Sequence, residues 1–157
     1  MLKATLTVNK IYSSLILPKT QKALGVSVDS LGARSVDEDT PGITQSQAYF
    51  HSLIQDEISA GIPADRIVLG GFSQGGAMSI FSGLTAPVKI AGIVGLSSWL
   101  LLHQSFASLV PAGEINKATP VLMGHGDADP LVRYTLATQT VSVLKDLGYD
   151  VTLKTYR

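Results

Sequence analysis

A serine becomes a useful nucleophile only when the chain bares its oxygen and a neighbouring group takes its proton. The run Gly71-Phe72-Ser73-Gln74-Gly75 speaks to the first condition. It fits G-x-S-x-G, in which a sharp, strained strand-to-helix turn lifts a serine oxygen out at the carboxyl end of a strand. Gly71 and Gly75 have a steric task in that turn, since only residues without a Cβ let the backbone pass close beside the serine. A helix opening at Gln74 would aim free N–H groups at developing negative charge, which makes the Gln74 N–H a candidate oxyanion donor. The competing reading is a glycine-rich turn that binds a phosphate or only packs tightly, because Gly70 to Gly75 also has the glycine spacing of a P-loop. Gly76 and Ala77 stand where a P-loop needs Lys and then Ser or Thr, so neither the cation nor the magnesium-binding hydroxyl is there.

The serine needs a base, and the base needs a carboxylate to hold its tautomer and stabilise its charged form. His125-Gly126-Asp127-Ala128-Asp129-Pro130-Leu131-Val132 follows a later strand pattern, which brings its carboxylates to the same sheet edge as Ser73. Asp129 is the candidate acid. The alternative is that Asp127 and Asp129 only satisfy turn amides, a common task for Asp. The chain has three histidines, His51, His103 and His125, and none follows Asp129. They lie on three different predicted elements with no ligand spacing, so neither a metal site nor any cofactor is expected.

The elements that must position these groups read as α/β. Thr40 is a plausible N-cap before Pro41, and Ile43, Phe50, Ile54 and Ile58 recur near helical spacing until Gly61 and Pro63 stop the helix. Ile67 to Phe72 suits a strand buried on both faces of a parallel sheet. A helix over Gln74 to Ser82 follows. Ile90 to Leu96 and Pro120 to Met123 read as further strands, the second entering a Gly124-His125-Gly126 turn. Ala137, Val141 and Leu144, with Leu147 beside them and Gly148 as a stop, mark an amphipathic helix before a final strand, Val151 to Tyr156. Strands separated by helices imply right-handed crossovers and a parallel sheet. Residues 1–33 carry mixed signals, with Ala4 to Val8 and Tyr12 to Leu17 as candidate strands, and the expectation is one domain over residues 1–157.

Composition narrows the chemistry further. Twelve Lys and Arg balance twelve Asp and Glu over 157 residues, so nucleic acid is not an expected partner. With 45% hydrophobic and 15% charged residues the chain can fill a core. The absence of cysteine excludes disulfides, thiolate zinc sites and thiol nucleophiles within it. Its most apolar stretch, Ile90 to Leu102, is broken by glycines and serines and falls short of the about 20 residues a membrane span needs. No targeting segment is expected, because the apolar run Leu15 to Leu17 is too short for a secretory signal.

The segment from Gly61-Ile62-Pro63-Ala64-Asp65-Arg66 through Gly71-Phe72-Ser73-Gln74-Gly75-Gly76 resembles the elbow region of the acyl-protein thioesterase and carboxylesterase group of the α/β-hydrolases. Gly95-Leu96-Ser97-Ser98-Trp99-Leu100 is similar to that family's next strand and loop, and His125 to Val132 to its acid loop. The resemblance covers residues 34 to 157. It implies an α/β-hydrolase-like three-layer sandwich with a mostly parallel sheet, incomplete at its N-terminal strands and its C-terminus. It implies Ser73 as nucleophile, Asp129 as triad acid, Asp127 as structural and His125 as a brace for the acid loop. It also implies hydrolysis of acyl thioesters or carboxylic esters, of acylated proteins or lipids, through an acyl-serine intermediate, in the cytoplasm or nucleus. Trp99, Leu100, Leu101, Leu102 and Phe106 could line an acyl groove or be plain core, and Leu131 joins Trp99 and Leu100 as a candidate substrate contact. Two family features are not matched. No His-Gly precedes Ser73 to mark a second oxyanion donor, as His51 is followed by Ser52, and the histidine that follows the acid in the family is not found. Thr152 to Arg157 resembles the strand leading to that histidine, which suggests truncation; the alternative is an inactive fragment or an acyl-binding module.

Overall fold

The structure, a computed structural model, describes residues 38–157; the segment 1–33 and its candidate strands Ala4 to Val8 and Tyr12 to Leu17 lie outside the described residues. Helix α1 (Thr40–Ser59) leads through a 3-10 turn (Ala64–Arg66) into β1 (Val68–Phe72) and α2 (Gln74–Leu84). There follow β2 (Gly92–Leu96), a single-turn α3 (Phe106–Leu109), β3 (Val121–Gly126), α4 (Tyr134–Asp146) and β4 (Val151–Tyr156).

The four strands are parallel and lie in the order β1-β2-β3-β4. A right-handed crossover that steps the same way each time puts its helices on one side of the sheet. Accordingly α2 packs on β1 and β2, α4 on β3 and β4, and α1 on the back of α2. The core forms where Leu69, Ile93, Val121 and Met123 meet Met78, Ile80, Phe81, Ala137 and Leu144. The α/β class read from the alternation of patterns is therefore observed. The expectation that β1 is buried on both faces is corrected: Val68 is 42% exposed and Phe72 68%, because the described helices all lie on the other face. Leu96 and Leu122 share that open face with them.

Local chemistry explains the element ends. Asp39, not Thr40, is the N-cap of α1, its side chain accepting from Gly42 N–H at 3.0 Å. Thr40 is already in the helix, with Pro41 in the first turn where a missing N–H costs nothing. Strand β3 runs through Gly124-His125-Gly126, which the sequence suggested as a turn, because His125 pairs with Thr155 and Gly126 with Tyr156 of β4. A buried Asn116 staples the approach to β2: its Oδ1 accepts from Ile90 N–H and Thr119 Oγ1, and its Nδ2 donates to the carbonyls of Ala86 and Val88. The C-terminal stop at Gly148 has φ +81°.

Candidate active site

Ser73 sits between the last residue of β1 and the first of α2 with φ 52° and ψ −125°, a conformation L-residues rarely adopt. Its backbone is pinned on both sides. The Ser73 N–H donates to the Leu96 carbonyl at 2.7 Å, and its own carbonyl accepts from Ala77 N–H at 3.0 Å to start the helix. A serine at an N-cap commonly turns its oxygen onto the helix amides; here the side chain makes no cap bond. The turn is tight enough to require glycine. A Cβ on Gly71 would lie 2.4 Å from the Gly75 carbonyl carbon, and one on Gly76 2.8 Å from both Gly71 O and Ser98 Cβ. The backbone of Gly75 therefore passes close to Gly71, and Gly76 adds a second close approach that the motif did not mark. Gln74 opens α2, so its N–H lies at the positive end of the helix.

Asp129 follows β3 on the loop into α4. One carboxylate oxygen, Oδ1, accepts from the N–H groups of Leu131 and Val132, each at 2.9 Å. It therefore does satisfy turn amides, and does so with a single oxygen. The other, Oδ2, lies 3.8 Å from His125 Nε2, and the Ser97 side chain also reaches this carboxylate. Partial burial pulls the Asp129 carboxyl upward, but the amides of Val132 and Leu131, the Ser97 hydroxyl and the nearby His125 together hold it below the ordinary 3.8. It is ionised at neutral pH, as a triad acid must be.

Ser97 is a site residue that motif reading did not single out. It takes φ 44° straight after β2, and its N–H donates to the Gly124 carbonyl at 2.8 Å. Leu96 thus anchors Ser73 through its carbonyl while the next residue touches Asp129. The only sequence signal was a pair of serines following an apolar strand.

Asp127 is exposed, and its N–H donates to Tyr156 O at 2.9 Å. His51 Nε2 lies 2.9 Å from Ser82 O, on the α1–α2 contact. His103 is exposed, and its field acts on Glu38. His125 is buried, with Nε2 at 2.7 Å from Val132 O.

Of the candidate substrate contacts, Trp99 is half-buried and Leu131 is 60% exposed. Leu100 is corrected to a core position at 2% exposure. Its N–H donates to Thr140 Oγ1 at 2.8 Å, which draws it inward with Leu101, Leu102 and Phe106. That loop has a second tether: the Glu38 carboxylate accepts from Leu102 N–H at 3.0 and 3.1 Å, and Leu102 takes φ 50°. Burial pushes the Glu38 carboxyl above its ordinary 4.5, against the opposing pull of the Leu102 amide and His103. Among the described residues no group of three His, Cys, Asp or Glu side chains is placed to hold a metal, and no helix is long and apolar enough to cross a membrane.

Comparison with known proteins adds independent findings. Residues 26–157 match the phospholipase/carboxylesterase family. Acyl-protein thioesterase 1 of Neurospora crassa is 64% identical over 120 residues, covering 76% of this chain and 49% of that protein. Acyl-protein thioesterase 1 of Gibberella zeae is 56% identical over 135 residues, 86% of this chain and 56% of that one. Among solved structures, Zea mays acyl-protein thioesterase 2 superposes with a TM-score of 0.67 at 29% identity, over 80% of this chain and 60% of its own. Arabidopsis thaliana SOBER1 gives 0.70 at 30% identity, over 75% and 55%. The chain spans about half the length of the curated relatives it matches.

Proposed function

The chain belongs to the phospholipase/carboxylesterase family, and from that premise we propose a serine hydrolase domain, one unit over residues 1–157, that opens acyl thioesters or carboxylic esters at Ser73. The observation that carries the reading is the strained, doubly pinned backbone at Ser73, which leaves its hydroxyl uncommitted to the helix behind it. Ser73 Oγ attacks the acyl carbonyl, and the carbonyl oxygen gathers negative charge against the Gln74 N–H and the positive end of α2. The Ser73 hydroxyl proton passes by way of a base to the departing thiol or alcohol, and the acyl group stays on Ser73. Water then attacks that ester, gives a proton back to the serine oxygen by way of the base, and the carboxylic acid leaves. Asp129, ionised and held by three hydrogen-bond donors, orients the proton-carrying base and stabilises its charge. Neither His51, packed on the α1–α2 contact, nor His125, buried with its Nε2 on the Val132 carbonyl, is read as that base.

The substrate side follows from Trp99 and Leu131, apolar groups that present surface and suit an acylated protein or a lipid ester. The reading includes a cytoplasmic location and a part in lipid metabolism, which cell fractionation and lipid profiling test. The direct test is a fluorophosphonate probe and a short acyl thioester, applied to the chain and to Ser73→Ala, with imidazole added as an external base. Labelling of the chain alone, rising with imidazole, is expected. Equal labelling of both proteins rejects Ser73 as nucleophile.

A further inference from the structure

Between β2 and α3 the chain runs without a regular element over residues 97–105. At the near end of this loop Ser97 reaches Asp129, and two residues further on stands half-buried Trp99. A loop of this kind keeps one position only where its amides are fastened. Ser97 N–H donates to the Gly124 carbonyl of β3 and Leu100 N–H to Thr140 Oγ1 of α4, each at 2.8 Å. Leu102 N–H donates to both carboxylate oxygens of Glu38, at 3.0 and 3.1 Å.

The third tether differs from the other two. It spans 64 positions and comes from the approach to α1. Glu38 is itself fixed at that helix start: its carbonyl accepts from Thr40 N–H at 2.7 Å, beside the Asp39 cap on Gly42. The residue it grips is strained, since Leu102 takes φ 50°, which bulky side chains rarely adopt, and lies in the core at 7% exposure. Such a backbone persists only where its surroundings over-determine it. Glu38 is half-buried and forms no ion pair among the described residues, and the charged group whose field reaches it is the exposed His103 next to Leu102. A carboxylate that gives up water in this way needs hydrogen bonds, and both oxygens are aimed at one loop amide.

We propose that Glu38 is a positioning residue for the loop that carries Trp99: by holding Leu102 in its left-handed conformation it fixes the far part of the loop, and with it the place of the tryptophan. Released, Leu102 relaxes towards negative φ, and that rotation is passed back along the chain to Trp99, three residues before it. The proposal deepens the reading of Trp99 as a substrate contact and rests on it. It also links the start of α1 to the substrate side of the site.

Trp99 is the only tryptophan of the chain, so its emission and its quenching by acrylamide report the loop without any need for turnover. Glu38→Ala removes both acceptors, Glu38→Asp falls one methylene short, and Glu38→Gln keeps an oxygen for the Leu102 amide. Ile54→Ala loosens the buried side of α1 and leaves the tether in place. In the full chain at neutral pH, Glu38→Ala and Glu38→Asp should shift the Trp99 emission and raise its quenching, while Glu38→Gln and Ile54→Ala keep the wild-type signal. An unmoved signal in Glu38→Asp and in Glu38→Ala overturns the proposal, and so does a Glu38→Gln that fails to restore it. An Ile54→Ala signal that moves as far overturns it too, leaving Glu38 a merely structural residue. The second readout is the ratio of Ser73 labelling rates with a long-chain and a short-chain fluorophosphonate. That ratio should fall about 10- to 100-fold in Glu38→Ala, the scale on which a small misplacement registers, and recover in Glu38→Gln. Emission that moves while the ratio holds supports the tether and removes Trp99 from the substrate side, so the two readings fail separately.

Discussion

The strain at Ser73 makes a quantitative prediction that does not depend on turnover. A residue held at φ 52° and ψ −125° costs on the order of 1–3 kcal/mol when it carries a Cβ. Glycine has no such penalty, because by mirror symmetry this conformation is as open to it as φ −52° and ψ +125°, an ordinary extended geometry. Ser73→Gly therefore releases the strain, and it loses no cap bond because the serine side chain makes none. Against the gain stands the extra freedom of glycine in the unfolded chain, about 0.4–1 kcal/mol relative to alanine. The net expectation is a stabilisation of about 1–2 kcal/mol over Ser73→Ala, which keeps its Cβ and the strain. At roughly 2–4 °C per kcal/mol for a chain of this size, Ser73→Gly should melt about 2–8 °C above Ser73→Ala. Calorimetry or a circular-dichroism melt reads the difference, and taking alanine as reference cancels the loss of the hydroxyl. A glycine variant that melts at or below the alanine variant would refute the claim that the fold stores strain at the nucleophile.

Three further outcomes are expected. Gly71→Ala should cost at least the upper end of the about 1–3 kcal/mol usual for overpacking, because its Cβ meets backbone; Gly95→Ala, which meets the side-chain ends of Ser98 and Ile80, should cost less, and urea titrations showing the reverse order would contradict the packing described. Asn116→Ala strands the buried N–H of Ile90 and the carbonyls of Ala86 and Val88, so a loss of about 3 kcal/mol or more is expected in the same assay, and a loss below about 1 kcal/mol would deny the staple its role. Glu38 titrates above 4.5 in the fold, so its stabilising contribution is present below that pH and is lost as pH rises through its folded value. Glu38→Gln keeps an oxygen for Leu102 N–H and does not titrate, so its stability should match the wild type at low pH and gain on it as pH rises through and above 4.5; a constant gap across pH would be the contrary result.

Features set by neighbours in sequence could be read without coordinates. The elbow was one, because two glycines, a serine and the change from strand to helix pattern all lie within a few residues and obey one steric demand. The placing of Asp129 on the loop after β3 was another, carried by its place after a strand. What escaped reading depends on register. Ser97 matters because parallel pairing brings the ends of β1, β2 and β3 level, so that the residue after β2 meets a loop 32 positions further on, and no local pattern encodes that distance. Gly124-His125-Gly126 carries turn chemistry and becomes strand only because β4 offers it partners. Leu100 shows the same limit. An apolar loop residue suits a groove and a core equally well, and its burial is tied to the hydroxyl of Thr140, 40 positions away, which no local pattern reveals.

The join between β4 and the loop that carries the acid gives the two halves of the site different resilience. Tyr156 O receives the Asp127 N–H, and Thr155 Oγ1 meets the Tyr134 hydroxyl at 2.6 Å, so the last turn of chain before α4 leans on β4, an edge strand among the described residues. Ser73, although it follows the other edge strand β1, is held by the Leu96 carbonyl of the inner strand β2 and by the helix start at Ala77. Breathing of β4 at its far tip would therefore blur the carboxylate first while the serine stayed sharp, and amide exchange should run faster at Asp127 than at Ser73.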